Sequence, residues 1–136
     1  MVFIIRRFEP KDINYLVDIL KINQQYSYPN IEGPEAMLRV AACDAAVFLV
    51  AETDGRVIGC IRAVYDGARA MIHLLSVHPD YQNQGTGTKL VKAAIQALKT
   101  KGAPTVSVTV TDASQGYWDK LGFERIPAYL MLKTEI

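Results

Sequence analysis

Between His78 and Val91 the chain reads HPDYQNQGTGTKLV. Gly85 and Gly87 stand one residue apart, directly before an apolar run with helical spacing. A helix N-terminus offers free backbone N–H groups and the positive end of a dipole, and glycine lets that backbone approach an anion closely. Gln82, Asn83, Gln84, Thr86 and Thr88 add uncharged donors, and Lys89 adds a positive charge. The chemistry this favours is the holding of a phosphate or pyrophosphate. The plain alternative is a tight turn with no ligand.

Two well-known phosphate loops can be compared with it. The P-loop spacing G-x-x-x-x-G-K-[ST] is absent. The dinucleotide pattern needs a third glycine where Leu90 stands, and it needs the glycines tight behind a strand, whereas seven residues separate Val77 from Gly85. Asp112 lies roughly where an acidic ribose ligand would be sought, so a small dinucleotide-binding module stays open as a rival.

The elements around the loop can be read from periodicity. Val2 to Phe8 is a first strand. Pro10 opens a helix with Ile13, Leu16, Val17 and Leu20 on one face. A polar loop from Asn23 to Asn30 follows, then a second helix from near Pro34. Val47–Glu52, Val57–Tyr65 and Met71–Val77 form an antiparallel meander joined by Asp54-Gly55 and Asp66-Gly67 turns of one kind. The glycine loop opens a helix through Leu90, Val91, Ala94, Ile95 and Leu98, ended by Gly102. Thr105–Thr111 alternates as a strand, Asp112 and Ser114 cap a short helix through Leu121, and a last strand pair follows Gly122-Phe123 around Pro127. The order is β-α-α-β-β-β-α-β-α-β-β, an α+β pattern.

Bulk properties narrow the classes. The 136 residues suit one domain, 1–136, able to bury a core. A net charge of +1 argues against a broad basic surface for nucleic acid. Cys43 and Cys60 form no CxxC pair, so no metal site is expected, and both read as reduced cysteines. The apolar run at Val2–Ile5 is too short for a signal-peptide core, and no stretch is long enough for a membrane helix. The expectation is a soluble cytoplasmic protein with neither membrane nor nucleic-acid partner, as a monomer or homodimer.

Two motifs together resemble the GNAT superfamily of N-acetyltransferases. The first is Gln82-Asn83-Gln84-Gly85-Thr86-Gly87 after Leu75-Ser76-Val77-His78-Pro79, similar to that family's R/Q-x-x-G-x-G/A signature behind its strand. The second is Tyr117-Trp118-Asp119-Lys120-Leu121-Gly122-Phe123, similar to its aromatic pair with a "K-x-G-F"-like ending. The order of elements matches over nearly the whole chain. The resemblance implies a mixed, mostly antiparallel central sheet of about six to seven strands, with about four flanking helices and one splayed strand pair. It implies acetyl-coenzyme A as co-substrate and a primary amine, small-molecule or protein, as acceptor, joined by direct attack in a ternary complex. A coenzyme A-binding regulatory domain that has lost catalysis is the other reading.

Site roles follow from the resemblance. The pyrophosphate is expected on the amides from Gln84 to Thr88, with Gln82 and Asn83 also cofactor-binding. The pantetheine arm is expected between the Met71–Val77 and Thr105–Thr111 strands, on freed backbone groups of Leu75, Ser76 and Val77, one N–H also stabilising the oxyanion. Ser114 can also bond the arm, although capping is its simpler role. A primary amine titrates near 10.4, so presenting it neutral at pH 7 costs roughly 4–5 kcal/mol and calls for a base. Met71 stands where several members have glutamate. His73, two residues on, is the candidate base, with a packed core histidine as the alternative; His78 lies past the strand end. Trp118 stands where the family's acid tyrosine is usual, and indole donates no proton at this pH, which leaves Tyr117 or no acid at all. Tyr26 and Tyr28 fall in the family's acceptor-lining loop, with plain packing as the alternative.

Overall fold

The computed structural model describes residues 2–136. Five strands form one sheet in the order β1 (Ile4–Arg7), β2 (Ala46–Thr53), β3 (Arg56–Tyr65), β4 (Ala70–Val77) and β5 (Ser107–Val108). All neighbours are antiparallel except the parallel pair β4–β5. Four helices exceed one turn: α1 (Ile13–Ile22), α3 (Pro34–Ala41), α4 (Thr86–Lys101) and α5 (Gln115–Lys120). A single turn, α2 (Pro29–Glu32), precedes α3.

Each long helix follows from its sequence. In α1, Leu16, Ile19 and Leu20 fall on one face and are buried against the sheet. They join Met37, Phe48, Val50 and Cys60 in one core layer, where Phe8 stacks on Phe48 at 4.3 Å. In α4, Leu90, Val91, Ala94 and Leu98 are buried on the opposite sheet face with Ile58, Ile61, Ile72 and Trp118. Each fully buried leucine there contributes about 1.5–3 kcal/mol of transfer free energy. The expected end signals hold: Gly85 caps α4 at its start and Gly102 at its end.

Three expectations need correction. The sheet has five strands among the described residues, not six to seven. The strand pair after Phe123 does not form: Ile126, Tyr129, Leu130, Met131 and Leu132 are exposed and unassigned. Of the alternating run 105–111 only Ser107 and Val108 pair, with Met71 and Ile72. A strand needs a partner ladder as well as a pattern. Finally, Asp54-Gly55 is a two-residue hairpin turn, but the β3–β4 loop has four residues, with the Asp66 carboxylate accepting from the Ala68 and Arg69 N–H groups.

Beyond Ile72, β4 leaves β5, and a bulge marks the place. Arg62 pairs with Leu74 and Ala63 with Ile72, so His73 is the extra residue. Bulges bend a strand and end pairing. A gap therefore opens between β4 and β5 from His73 onward.

An ion cluster fixes β1. Arg6 donates to both carboxylate oxygens of buried Asp12 (2.9 and 2.8 Å) and to Glu52 (3.1 Å), and the Glu9 N–H donates to Asp12 (2.8 Å). The two carboxylates hold the Arg6 guanidinium well above its ordinary pKa, so it stays charged. Asp12→Ala leaves that charge without its main partner. The expected loss is about 3–5 kcal/mol, read from urea unfolding; a loss below ~1 kcal/mol would contradict this reading.

Candidate active site

The α4 N-terminus faces the gap. Gly85 sits in the left-handed region (φ 84°), which lets the chain turn sharply into the helix. The first turn-closing bond there runs from the Lys89 N–H to the Gly85 carbonyl, leaving the amides of Thr86, Gly87 and Thr88 without intrahelical acceptors. The hydroxyl of buried Thr86 has no partner among the described residues. Upstream, Gln82 donates its amide to the Val77 carbonyl (2.9 Å), Asn83 is left-handed (φ 61°), and Gln84 reaches the Asp80 carbonyl (3.4 Å). Lys89 instead lies over the Phe3 ring at 5.1 Å.

Tyr117 comes to this same point. Its hydroxyl is 3.2 Å from Thr88 Oγ1, and a Cβ on Gly87 would lie 3.2 Å from it and 3.7–3.8 Å from Val77 and Leu75. Gly87 is therefore glycine where helix, tyrosine and strand meet. Trp118 points the other way. It is 6% exposed, packed edge-on against Tyr117 and Phe123 in the α4 core layer. Burial separates the two neighbours: Trp118 is core, and Tyr117 brings its hydroxyl beside Gly87 and Thr88. Ser114 is bonded to Thr111, whose N–H and carbonyl it engages, which is a capping role.

On β4 the strand alternates. The His78 N–H bonds the Ile58 carbonyl of β3, so the backbone of Ser76 also turns to β3 and that of Leu75 and Val77 turns to the open side. Ser76 backbone is thus not freed as expected. The open carbonyls are not bare either. Gln25 donates to Leu75 (3.1 Å), and Asn23 donates to Val77 (2.9 Å) and to the Ser76 hydroxyl (2.8 Å). The Leu75 carbonyl keeps a second lone pair, whereas the Val77 carbonyl accepts from both Asn23 and Gln82. Asn23 and Gln25 are functional-site neighbours that sequence reasoning passed over. Their signal was a cluster of amides directly after α1, but only the fold shows that they reach β4. Gln25 Oε1 is also buried with no partner among the described residues.

His73 shares a face with Arg62, which lies over Phe48 at 5.7 Å and donates to the Ile31 carbonyl (3.1 Å) on the α1–α3 side. The His73 side chain is exposed, not a core histidine. What burial its ring has, and then the charge of Arg62, hold its pKa below the ordinary histidine value. Burial likewise lowers the Arg62 pKa. His78 accepts from the Asp80 N–H (3.1 Å) and caps the turn Pro79–Tyr81. Tyr26 packs at the edge of the α1 core layer under Lys21, with its hydroxyl near Gly33, while Tyr28 is exposed at the start of α2. A cavity of about 310 Å³ beside α1 is lined by Tyr15, Asp18, Lys21 and Arg56 together with His78 and Tyr81 of the segment that leads into the glycine loop. The gap, with the α4 N-terminus and the Tyr117 hydroxyl beside it, is the candidate site.

These features define a class: an α+β fold whose split sheet opens onto an anion-receptive helix N-terminus. The sequence profile of the Acetyltransferase (GNAT) family matches residues 15–123. An acetyltransferase of Yersinia pestis (strain Pestoides F) is 36% identical over 84 residues, which span 60% of this chain and 60% of that protein's length. Among solved structures, the PaiA N-acetyltransferase of Thermoplasma acidophilum in complex with coenzyme A has a TM-score of 0.85 at 20% identity, over 95% of this chain and 94% of that one. AAC(6')-Iy in complex with a coenzyme A bisubstrate analogue has a TM-score of 0.83 at 15% identity, over all of both chains. At these identities the structural likeness is one of fold. The chain belongs to the Acetyltransferase (GNAT) family. Among the described residues no helix is long and apolar enough to cross a membrane.

Proposed function

We propose that this protein transfers the acetyl group of acetyl-coenzyme A to a primary amine by direct attack in a ternary complex. The observation that carries the reading is the meeting of Gly87, Thr88 and Tyr117 at the open end of α4, beside the β4–β5 gap. The residues present fit the donor. Thr86, Gly87 and Thr88 offer amides to a pyrophosphate; Gln82, Asn83 and Gln84 shape the approach; Leu75 and Val77 offer backbone groups to an extended arm. The donor supplies an acetyl group already activated as a thioester.

The protein's own groups do the rest. His73, on the α1–α3 side, takes the proton of the acceptor amine; its lowered pKa keeps it neutral and receptive at pH 7. Tyr117, on the α4 side, returns a proton to the departing sulfur. Tyr26, Tyr28, Asn23 and Gln25 border the acceptor's approach. Cys60 is no rival nucleophile, because burial pushes its thiol up to about 12, and Cys43 is exposed at the turn into β2. This favours direct transfer over an acetyl-enzyme.

Calorimetry with coenzyme A, followed by a thiol-release screen over a panel of amines, tests the reading. Binding with amine-dependent thiol release is the expected result. Binding without release from any amine would leave a coenzyme A-binding domain, and tighter binding of NAD would restore the dinucleotide reading. Tyr117→Phe is expected to lower turnover at saturating donor by roughly 10- to 100-fold, the modest end for a positioned acid, because a thiol of pKa about 8.5 leaves readily. Full activity in that variant would remove Tyr117 from the mechanism.

A further inference from the structure

Arg62 stands on β3 opposite Leu74, beside the bulge at His73. Its side chain is half-buried, with the guanidinium over the Phe48 ring. One N–H group donates to the Ile31 carbonyl of α2 (3.1 Å), and the rest of the fork has no hydrogen-bond partner among the described residues. Glu32 is close enough for its charge to be felt, but its carboxylate accepts from the Tyr28 N–H (2.8 Å) and closes α2. Arg6 is different: Asp12 and Glu52 hold it in ion pairs. Withdrawing a cation from water without an anion is costly, so Arg62 is left with a charge and a fork to offer.

The position of that charge narrows the acceptor. Arg62 and His73 share a face, and the Arg62 charge reaches the His73 ring. A ligand that presents an amine to His73 sets whatever lies next to the amine against Arg62. The guanidinium fork matches a planar carboxylate. In an α-amino acid a single carbon separates that group from the amine. A phosphate dianion fits less well, because one arginine faces it with Glu32 nearby. A polyamine or an aminoglycoside would bring further positive charge against Arg62. Tyr28 and Ile31, exposed in the turn that Arg62 bonds, add apolar surface there.

Resting on the acetyl transfer put forward above, we propose that the acceptor is an α-amino acid or a similarly compact amino carboxylate, with its amine at His73 and its carboxylate on Arg62. The neutral amine forms the N–C bond as the C–S bond breaks. Its proton passes to His73, and the sulfur leaves with a proton from Tyr117. The product is an N-acetyl amino acid that keeps its carboxylate.

Thiol release by the wild-type enzyme tests this with leucine and phenylalanine, each beside its decarboxylated amine and its carboxamide, which bracket it in basicity. The expected kcat/KM favours the amino acid over both by about 10- to 100-fold, the scale of a charge-assisted hydrogen bond. In Arg62→Gln that ratio falls toward one, mainly through the KM for the amino acid; taking a ratio cancels any effect of Arg62 on the base. The wild-type ratio decides alone if circular dichroism shows the variant misfolded. An amine or carboxamide used as well as its amino acid, an aminoalkyl phosphate used better, or a preference that a folded Arg62→Gln keeps would overturn the carboxylate site and leave acetyl transfer standing. Release from no amine would instead count against acetyl transfer. Calorimetry of N-acetylleucine with wild type and Arg62→Gln, each saturated with coenzyme A, then reads the carboxylate site by itself: binding lost in the variant supports it, and equal or absent binding in both overturns it.

Discussion

Gly87→Asp is expected to cost coenzyme A affinity by about 10²- to 10³-fold while leaving the fold intact. The size follows from charge. Two like charges about 4 Å apart near a protein surface repel by roughly 4 kcal/mol at an effective dielectric of 20. Sterics act in the same direction, since a Cβ at Gly87 would already meet the Tyr117 hydroxyl at 3.2 Å. The position lies in the first turn of α4 and outside the left-handed region, so an aspartate there is compatible with the helix. Calorimetric titration with coenzyme A, alongside circular dichroism, reads both parts. Unchanged affinity in a folded variant would move the anion site away from α4.

His73→Ala is expected to lower turnover by about 10²-fold or more at pH 7, with little change in the KM for acetyl-coenzyme A. Base catalysis requires the neutral ring. Since partial burial and the nearby Arg62 lower the His73 pKa, the acid limb of the rate profile should fall below the ordinary histidine range near 6.5. In His73→Ala that limb disappears. In Arg62→Gln one of the two lowering causes is gone, so the limb moves to higher pH. A His73→Ala enzyme with the wild-type profile would assign the proton to water or to another group.

Local patterns and their caps were readable because their causes are local. The period of α1 and α4, the Gly85 and Gly102 ends and the Asp54-Gly55 turn each depend on a few neighbouring residues. The glycine loop was readable for the same reason. The first four strands were legible too, but the extent of pairing with a remote partner was not. Thr105–Thr111 alternates cleanly, yet it pairs at two residues because β4 turns away from it. The bulge at His73 is a mismatch between two strands and is written in neither alone. The assignment of Trp118 to the core and Tyr117 to the gap needed the direction of α5 against α4. Asn23 and Gln25 needed the distance from the end of α1 to β4.

The single unmatched residue in β4 also bears on engineering. A designer idealising this sheet would delete residue 73, bring Leu74 into step with Ile72, and let β4 run alongside β5 for its full length. The product would have more ladder hydrogen bonds and a more regular core. It would also have lost, in one edit, both the opening between the strands and the side chain assigned to proton removal. Stabilising consensus changes belong in the hairpins and on the outer face of α4, where regularity and activity do not compete.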